Sequence, residues 1–171
     1  MAKVSISNRT KSPELIPEDS IQWNLLADTV LDDSYKPYFK EHEIVVSFVE
    51  AEEIQELNRL YRYKNEATDV LSFNAIGNLC SDLEKFEDLA NVGELEPEDC
   101  ALGDIVICVP LAQAQAAERN CELKQEIVML FVHGLLHLLG YDHVLREEAE
   151  QMFGLQNTVL EKHGYLVRIS C

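Results

Sequence analysis

At 171 residues the chain is long enough to bury a core of its own and reads as one domain spanning 1–171. Its formal net charge of −17 tells against a broad polyanion-binding surface, because such binding rests on cationic contacts; any nucleic-acid contact needs a local basic patch. No run is apolar and long enough to span a bilayer, and Met1–Ile6 has no signal-peptide core, so a cytoplasmic protein without a membrane partner is expected. The cysteines (Cys80, Cys100, Cys108, Cys121 and Cys171) are odd in number and contain no Cys-x-x-Cys pair. They read as reduced thiols rather than as a disulfide framework or metal ligands.

In chain order, Lys3–Ser7 alternates and predicts a short first strand. Asn8–Glu18, with Pro13 and Pro17, is turn-rich. Glu18–Asp32 predicts a helix: acids near its start suit the dipole, and Trp23, Leu26, Ala27 and Val30 share a face. Glu43–Val49 is the strongest strand signal. Glu50–Tyr63 returns to helical period, with Ile54, Leu57 and Tyr61 as its buried stripe. On this helix Arg59 and Arg62 are neighbours at i and i+3. The stretch Asn58–Asn65 adds Lys64 and contains no acid, which makes it the best anion-contact candidate. The plain alternative is a solvated helix end, where cations suit the dipole.

Asp69–Asn74 predicts a strand. Residues 78–100 hold eight acids and one base, a local charge of −7, and read as a mobile loop insertion outside the core. Gly103–Val109 is another apolar strand, and Pro110 is placed to open a helix reaching about Asn120. Cys121–Gly140 is apolar nearly all round and predicts a central helix. Leu145–Lys162 predicts the last helix, with Ala149, Met152, Phe153, Val159 and Leu160 inward. Strands fill the first two-thirds and helices the last third, an α+β arrangement in which the first two strands, joined by a helix, can pair in parallel.

The chemistry concentrates in Phe131–His143. His133 and His137 are i and i+4, one turn apart on one helix face. Gly140 can end the helix in the left-handed conformation and let the chain return His143 to the same point. A lone His-x-x-x-His is more often core packing. A third converging imidazole needs a shared reason, and three ligands with a fourth position open describe a catalytic-type zinc site. The spacing matches the metzincin protease pattern except that Gly134 stands where the general-base glutamate belongs. The pattern therefore points to a hydrolytic metal and against peptide hydrolysis.

The run His133-Gly134-Leu135-Leu136-His137-Leu138-Leu139-Gly140-Tyr141-Asp142-His143 resembles the signature of the YbeY family, metal-dependent endoribonucleases of ribosomal RNA maturation. Leu57–Lys64 followed by Thr68–Phe73, and Leu102–Ile107, fit the same resemblance, which runs from about residue 44 to 165. Two departures stand out: Asn74 follows Phe73 where the family usually has proline, and 78–100 is longer than the usual connection. The resemblance implies a mixed, roughly four-stranded sheet with about five helices, the metal site lying on a central helix and the following turn. It implies one zinc ion per chain and a single-strand endoribonuclease acting in 3′ end processing of small-subunit ribosomal RNA and in ribosome quality control. The expected partners are ribosomal RNA, the small ribosomal subunit and one of its proteins, not DNA.

The family's functionally important arginine maps onto Arg62, and a phosphate clamp there suits a bidentate guanidinium. Arg59 and Lys64 become further substrate contacts. Asp142 is a candidate to orient an imidazole by accepting its second N–H, Tyr141 to donate to a reacting oxygen, and Asp104 to face the cleft. Each has a plain alternative in packing or strand capping, and no general base stands out. Two other readings stay open. One is a metallohydrolase of a peptide or amide bond. The other is a non-enzymatic ribosome-assembly factor with a structural metal, which needs a fourth ligand; His42 and His163 are the remaining histidines.

Overall fold

The parallel part of the sheet is organised on β2 (His42–Val49), which has a strand paired on either side. The computed structural model describes residues 1–31, 42–75 and 101–165. β1 (Ala2–Asn8) pairs in parallel with β2, and β2 pairs in parallel with β4 (Ala101–Cys108). The edge strand β3 (Val70–Asn74) runs antiparallel to β4, giving a mixed sheet of order β1-β2-β4-β3. Both faces of the central strands are covered, so they read as nearly continuous apolar runs. On one face Ile44, Val46, Phe48, Ile105 and Ile107 are fully buried. On the other, Val49, Leu71, Val106 and Cys108 form a second, smaller cluster.

Helices α1 (Trp23–Val30), α4 (Leu123–Leu138) and α5 (Arg146–Lys162) build the larger core on the first face. There the Trp23 ring meets Phe131 edge-on at 5.1 Å. α2 (Ala51–Arg62) covers the smaller cluster through Ile54, and α3 (Val109–Glu118), opened by Pro110, lends Ala112 to one core and Leu111 to the other. The expected α+β architecture and the parallel first pair are present, and the described residues hold five α-helices. Among the described residues no helix is long and apolar enough to cross a membrane.

Three local expectations need correction. The helix expected over Glu18–Asp32 is broken: a 3-10 turn occupies Glu18–Ser20, and α1 starts only at Trp23. Ile21 between them is extended and 5% exposed, so the chain leaves the helical path to bury it. Tyr61, expected in the buried stripe, is 64% exposed because the smaller core ends before the last turn of α2. Phe153, expected inward, is 42% exposed. Met152 beside it is fully buried. The acidic insertion 78–100 and Cys80, Cys100 and Cys171 lie outside the described residues; Cys108 and Cys121 form no disulfide among the described residues.

Two glycines shape α4. A Cβ on Gly134 would stand 2.9 Å from Cγ2 of Ile105, so only glycine lets the helix lie this close to β4. Gly140 ends the helix with φ +86°. Its N–H donates to the His137 carbonyl (3.0 Å) and that of Tyr141 to the Leu136 carbonyl (3.1 Å), the paired bonds of a Schellman cap. A third bond comes from outside the helix: Asn74 Nδ2 donates to the Leu138 carbonyl at 3.0 Å, tying β3 to the end of α4.

Candidate metal centre

His133 and His137 sit on consecutive turns of α4, their Nε2 atoms 3.1 Å apart. Beyond the Gly140 turn His143 folds back, its ring 5.5 Å from that of His133 and 5.2 Å from that of His137. One nitrogen from each ring lies within 4.8 Å of the others. A tetrahedral ion with bonds of about 2.05 Å needs donor atoms about 3.3 Å apart, which is the spacing the first pair already has. Three nitrogen donors suit a divalent transition metal and leave a coordination position open.

The electrostatics favour the ligand form. Burial is the main reason that both α4 imidazoles resist protonation. His137 is held down to about 4, with His133 and His143 adding repulsion and the Tyr141 backbone opposing weakly. Both rings are therefore neutral near pH 7, as metal ligation requires.

α5 supplies two residues that sequence reasoning missed in this role. Gln156, 7% exposed, sets its Oε1 3.1 Å from His133 Nδ1. With Nδ1–H donating to that oxygen, Nε2 of His133 is left to face the cluster as an acceptor. Three residues earlier, the Phe153 ring stacks nearly parallel on His143 (5.8 Å, 18°) and on His133 (6.3 Å, 20°), forming an apolar wall. The signal for Gln156 was present in the sequence: a lone polar residue in the inward stripe Met152, Gln156, Val159, Leu160.

Among the described residues only these three histidines form a metal-capable group. His163 is engaged elsewhere, its Nε2 2.8 Å from Thr29 Oγ1. The side chain of His42 lies outside the described residues.

The other singled-out residues fall in different places. Asp142 Oδ1 accepts the backbone N–H of His143 at 2.7 Å, shaping the loop rather than an imidazole. Tyr141 packs partly against the larger core. Asp104 is exposed and follows in register with Val45 and Phe73. Its neighbour Ile105 faces α4, so alternation turns Asp104 to the α2 side, and the sheet separates it from the histidines.

Arg62 is the exposed last residue of α2, with no hydrogen bond or ion pair among the described residues. Arg59 is different: Glu56 takes its guanidinium through two bonds, from Nε at 2.8 Å and from a terminal nitrogen at 2.5 Å. Lys64 is exposed beyond the helix end. α2 ends beside β3, where Tyr61 meets Phe73 with ring centres 5.0 Å apart, while α4 ends at Asn74. The end of α2 and the end of α4 thus reach neighbouring residues of β3.

The family model described as Endoribonuclease YbeY matches residues 5–164. The chain is 42% identical over 125 residues to the Endoribonuclease YbeY of Staphylococcus saprophyticus, covering 73% of this chain and 74% of that protein. To its counterpart in Macrococcus caseolyticus it is 43% identical over 125 residues, with the same coverage. The solution structure of TM1509 from Thermotoga maritima shares the fold with a TM-score of 0.51 at 23% identity, covering 94% of this chain and 91% of that one. Cluster, glycine turn and sequence relationship agree: the chain belongs to the YbeY endoribonuclease family.

Proposed function

We propose that this protein is a metal-dependent endoribonuclease that hydrolyses phosphodiester bonds of single-stranded ribosomal RNA during its maturation. The observation that carries this reading is the convergence of three imidazoles, two of them held neutral by burial, with no fourth protein ligand among the described residues. When bound, a divalent ion, for which zinc suits the donor set best, supplies a Lewis acid that lowers the pKa of water and draws charge from a phosphoryl oxygen. The chain's own residues do the rest. His133, His137 and His143 hold the ion, and Gln156 keeps the His133 ring turned with Nε2 inward. Phe153 closes one side against water. Arg62, bonded to no carboxylate among the described residues, clamps a phosphate of the strand that crosses β3, and Lys64 adds attraction. Gly134 offers no carboxylate beside the cluster, which argues against a peptide substrate.

The same reading places the protein in the cytoplasm, acting on the 3′ end of small-subunit ribosomal RNA with the small subunit as its partner, in maturation and in quality control. The test is cleavage of a defined small-subunit RNA fragment by wild type and His137→Ala, each assayed for bound zinc and for fold. Cutting by wild type alone supports the reading. Equal cutting by a folded, metal-free His137→Ala protein rejects it.

A further inference from the structure

The last turn of α2 carries an arrangement that the fold does not use. Tyr63, directly after Arg62, adopts φ 59° and ψ 26°, a left-handed conformation that is strained for a residue with a Cβ and is ordinarily filled by glycine or asparagine. Its side chain is 92% exposed, the most exposed large apolar side chain among the described residues, so no burial offsets that strain. Tyr61 is 64% exposed, with one ring edge against Phe73. Between the two rings stands Arg62, unpaired among the described residues, and exposed Lys64 follows. Glu56 is taken by Arg59, and among the described residues no acid is bonded to the side chain of Arg62 or Lys64. Two outward aromatics interleaved with free cations, in a chain of net charge −17, make a local surface suited to one ligand chemistry. That chemistry is a flexible polyanion carrying planar apolar groups, which is a single nucleic-acid strand.

We propose that Tyr63 and Tyr61 form a stacking ledge for unpaired RNA bases, flanking the phosphate held by Arg62. The inference rests on the RNA reading above and deepens it. It assigns the preference for unpaired strands to rings beside the edge strand, since bases stacked in a duplex are not available to them. Tyr61 is braced by Phe73 and is the fixed side of the ledge. Tyr63 is the outer side, presented by the backbone conformation itself.

The test measures binding of a short single-stranded RNA, the matching duplex and a single strand with one abasic position, using His143→Ala protein to prevent cleavage. Stacking on one aromatic ring is worth about 5-fold to 100-fold in affinity. Tyr63→Ala should lose that much on the intact single strand and little on the duplex. Tyr63→Trp should retain binding. Tyr63→Gly is the discriminating variant: it relieves the left-handed strain, so its melting temperature should rise while its RNA affinity falls. A ring that serves only the fold cannot produce that split. Scanning the abasic position should find one site whose loss matches that of Tyr63→Ala and is not additive with it. Wild-type affinity in Tyr63→Gly, or no abasic position that matters, overturns the ledge and leaves the RNA reading standing. Failure of the parent protein to bind any RNA overturns both.

Discussion

Oε1 of Gln156 lies 3.1 Å from Nδ1 of His133, and this contact decides which nitrogen of the ring is free to bind. Gln156 is buried on α5, so its amide is held in place by the core rather than by solvent. Removing the acceptor with Gln156→Leu, of similar volume, should weaken metal affinity by about 10-fold to 100-fold. The metal-free melting temperature should change little, and Gln156→Glu should retain affinity because a carboxylate accepts the same N–H. Competition with a chelating dye measures this. Unchanged affinity in the leucine variant would show that the ring needs no such partner.

Metal removal should be visible in stability. A ligand bound only by the native state at 100 times its dissociation constant adds about 2.7 kcal/mol, so chelation should lower the melting temperature and zinc should restore it. His143 is exposed, so His143→Ala should melt like the metal-free wild type and show no response to zinc. A zinc-dependent rise of wild-type size in that variant would remove His143 from the ligand set.

Arg62 and Arg59 should behave differently, although both are exposed cations on one helix. Loss of one oriented donor to a developing charge costs about 10²-fold to 10³-fold in rate, and Arg62→Ala should fall in that range with unchanged metal content and melting temperature. Arg62→Lys should not fully rescue, since an ammonium cannot span two phosphate oxygens in the same way. Arg59 is already neutralised by Glu56, so Arg59→Ala should change turnover far less. Steady-state cleavage of one RNA by the three variants decides it; equal losses at 59 and 62 would deny Arg62 a distinct role.

Glu126, about two turns before His133 on α4, carries a pH dependence of its own. It is 2% exposed on α4 and bonded to Arg119. Burial raises its pKa above the ordinary 4.5, and Arg119 opposes that only in part. Between 4.5 and the raised value the native state holds more proton than the unfolded chain, so this contribution to stability is full below 4.5 and falls as pH rises through the window. Glu126→Gln removes that slope. Thermal melts from about pH 4 to about pH 7 should show the variant gaining on wild type as pH rises. A constant difference would mean that Arg119 fully compensates the buried charge.

What could be read from the sequence follows the range of the interactions involved. His133, His137, Gly140 and His143 lie within eleven residues, and one helical period plus one left-handed turn suffices to bring them together. Gln156 and Phe153 join them only because α5 folds back along α4, a tertiary fact that no local period carries. Tyr61 shows the converse. Periodicity correctly says which face of α2 it occupies, but not that the opposing core stops short of it. Ile21 shows a third case, in which burial of one side chain overrides the helical pattern on either side of it. Asp104 follows from strand alternation once its neighbour is known to face α4, and that partner is again long-range.

The close packing of Gly134 on Ile105 bears on how chemistries that share a histidine spacing can diverge. In the protease pattern the residue after the first histidine is the glutamate; here that position is filled by the sheet. Installing a carboxylate there would press its Cβ into the Ile105 side chain, so Ile105 or the helix must shift to admit it. The same packing therefore disfavours a glutamate at this position on steric grounds, apart from any effect on catalysis. The small residue that brings helix and strand together also narrows the routes by which the enzyme can evolve.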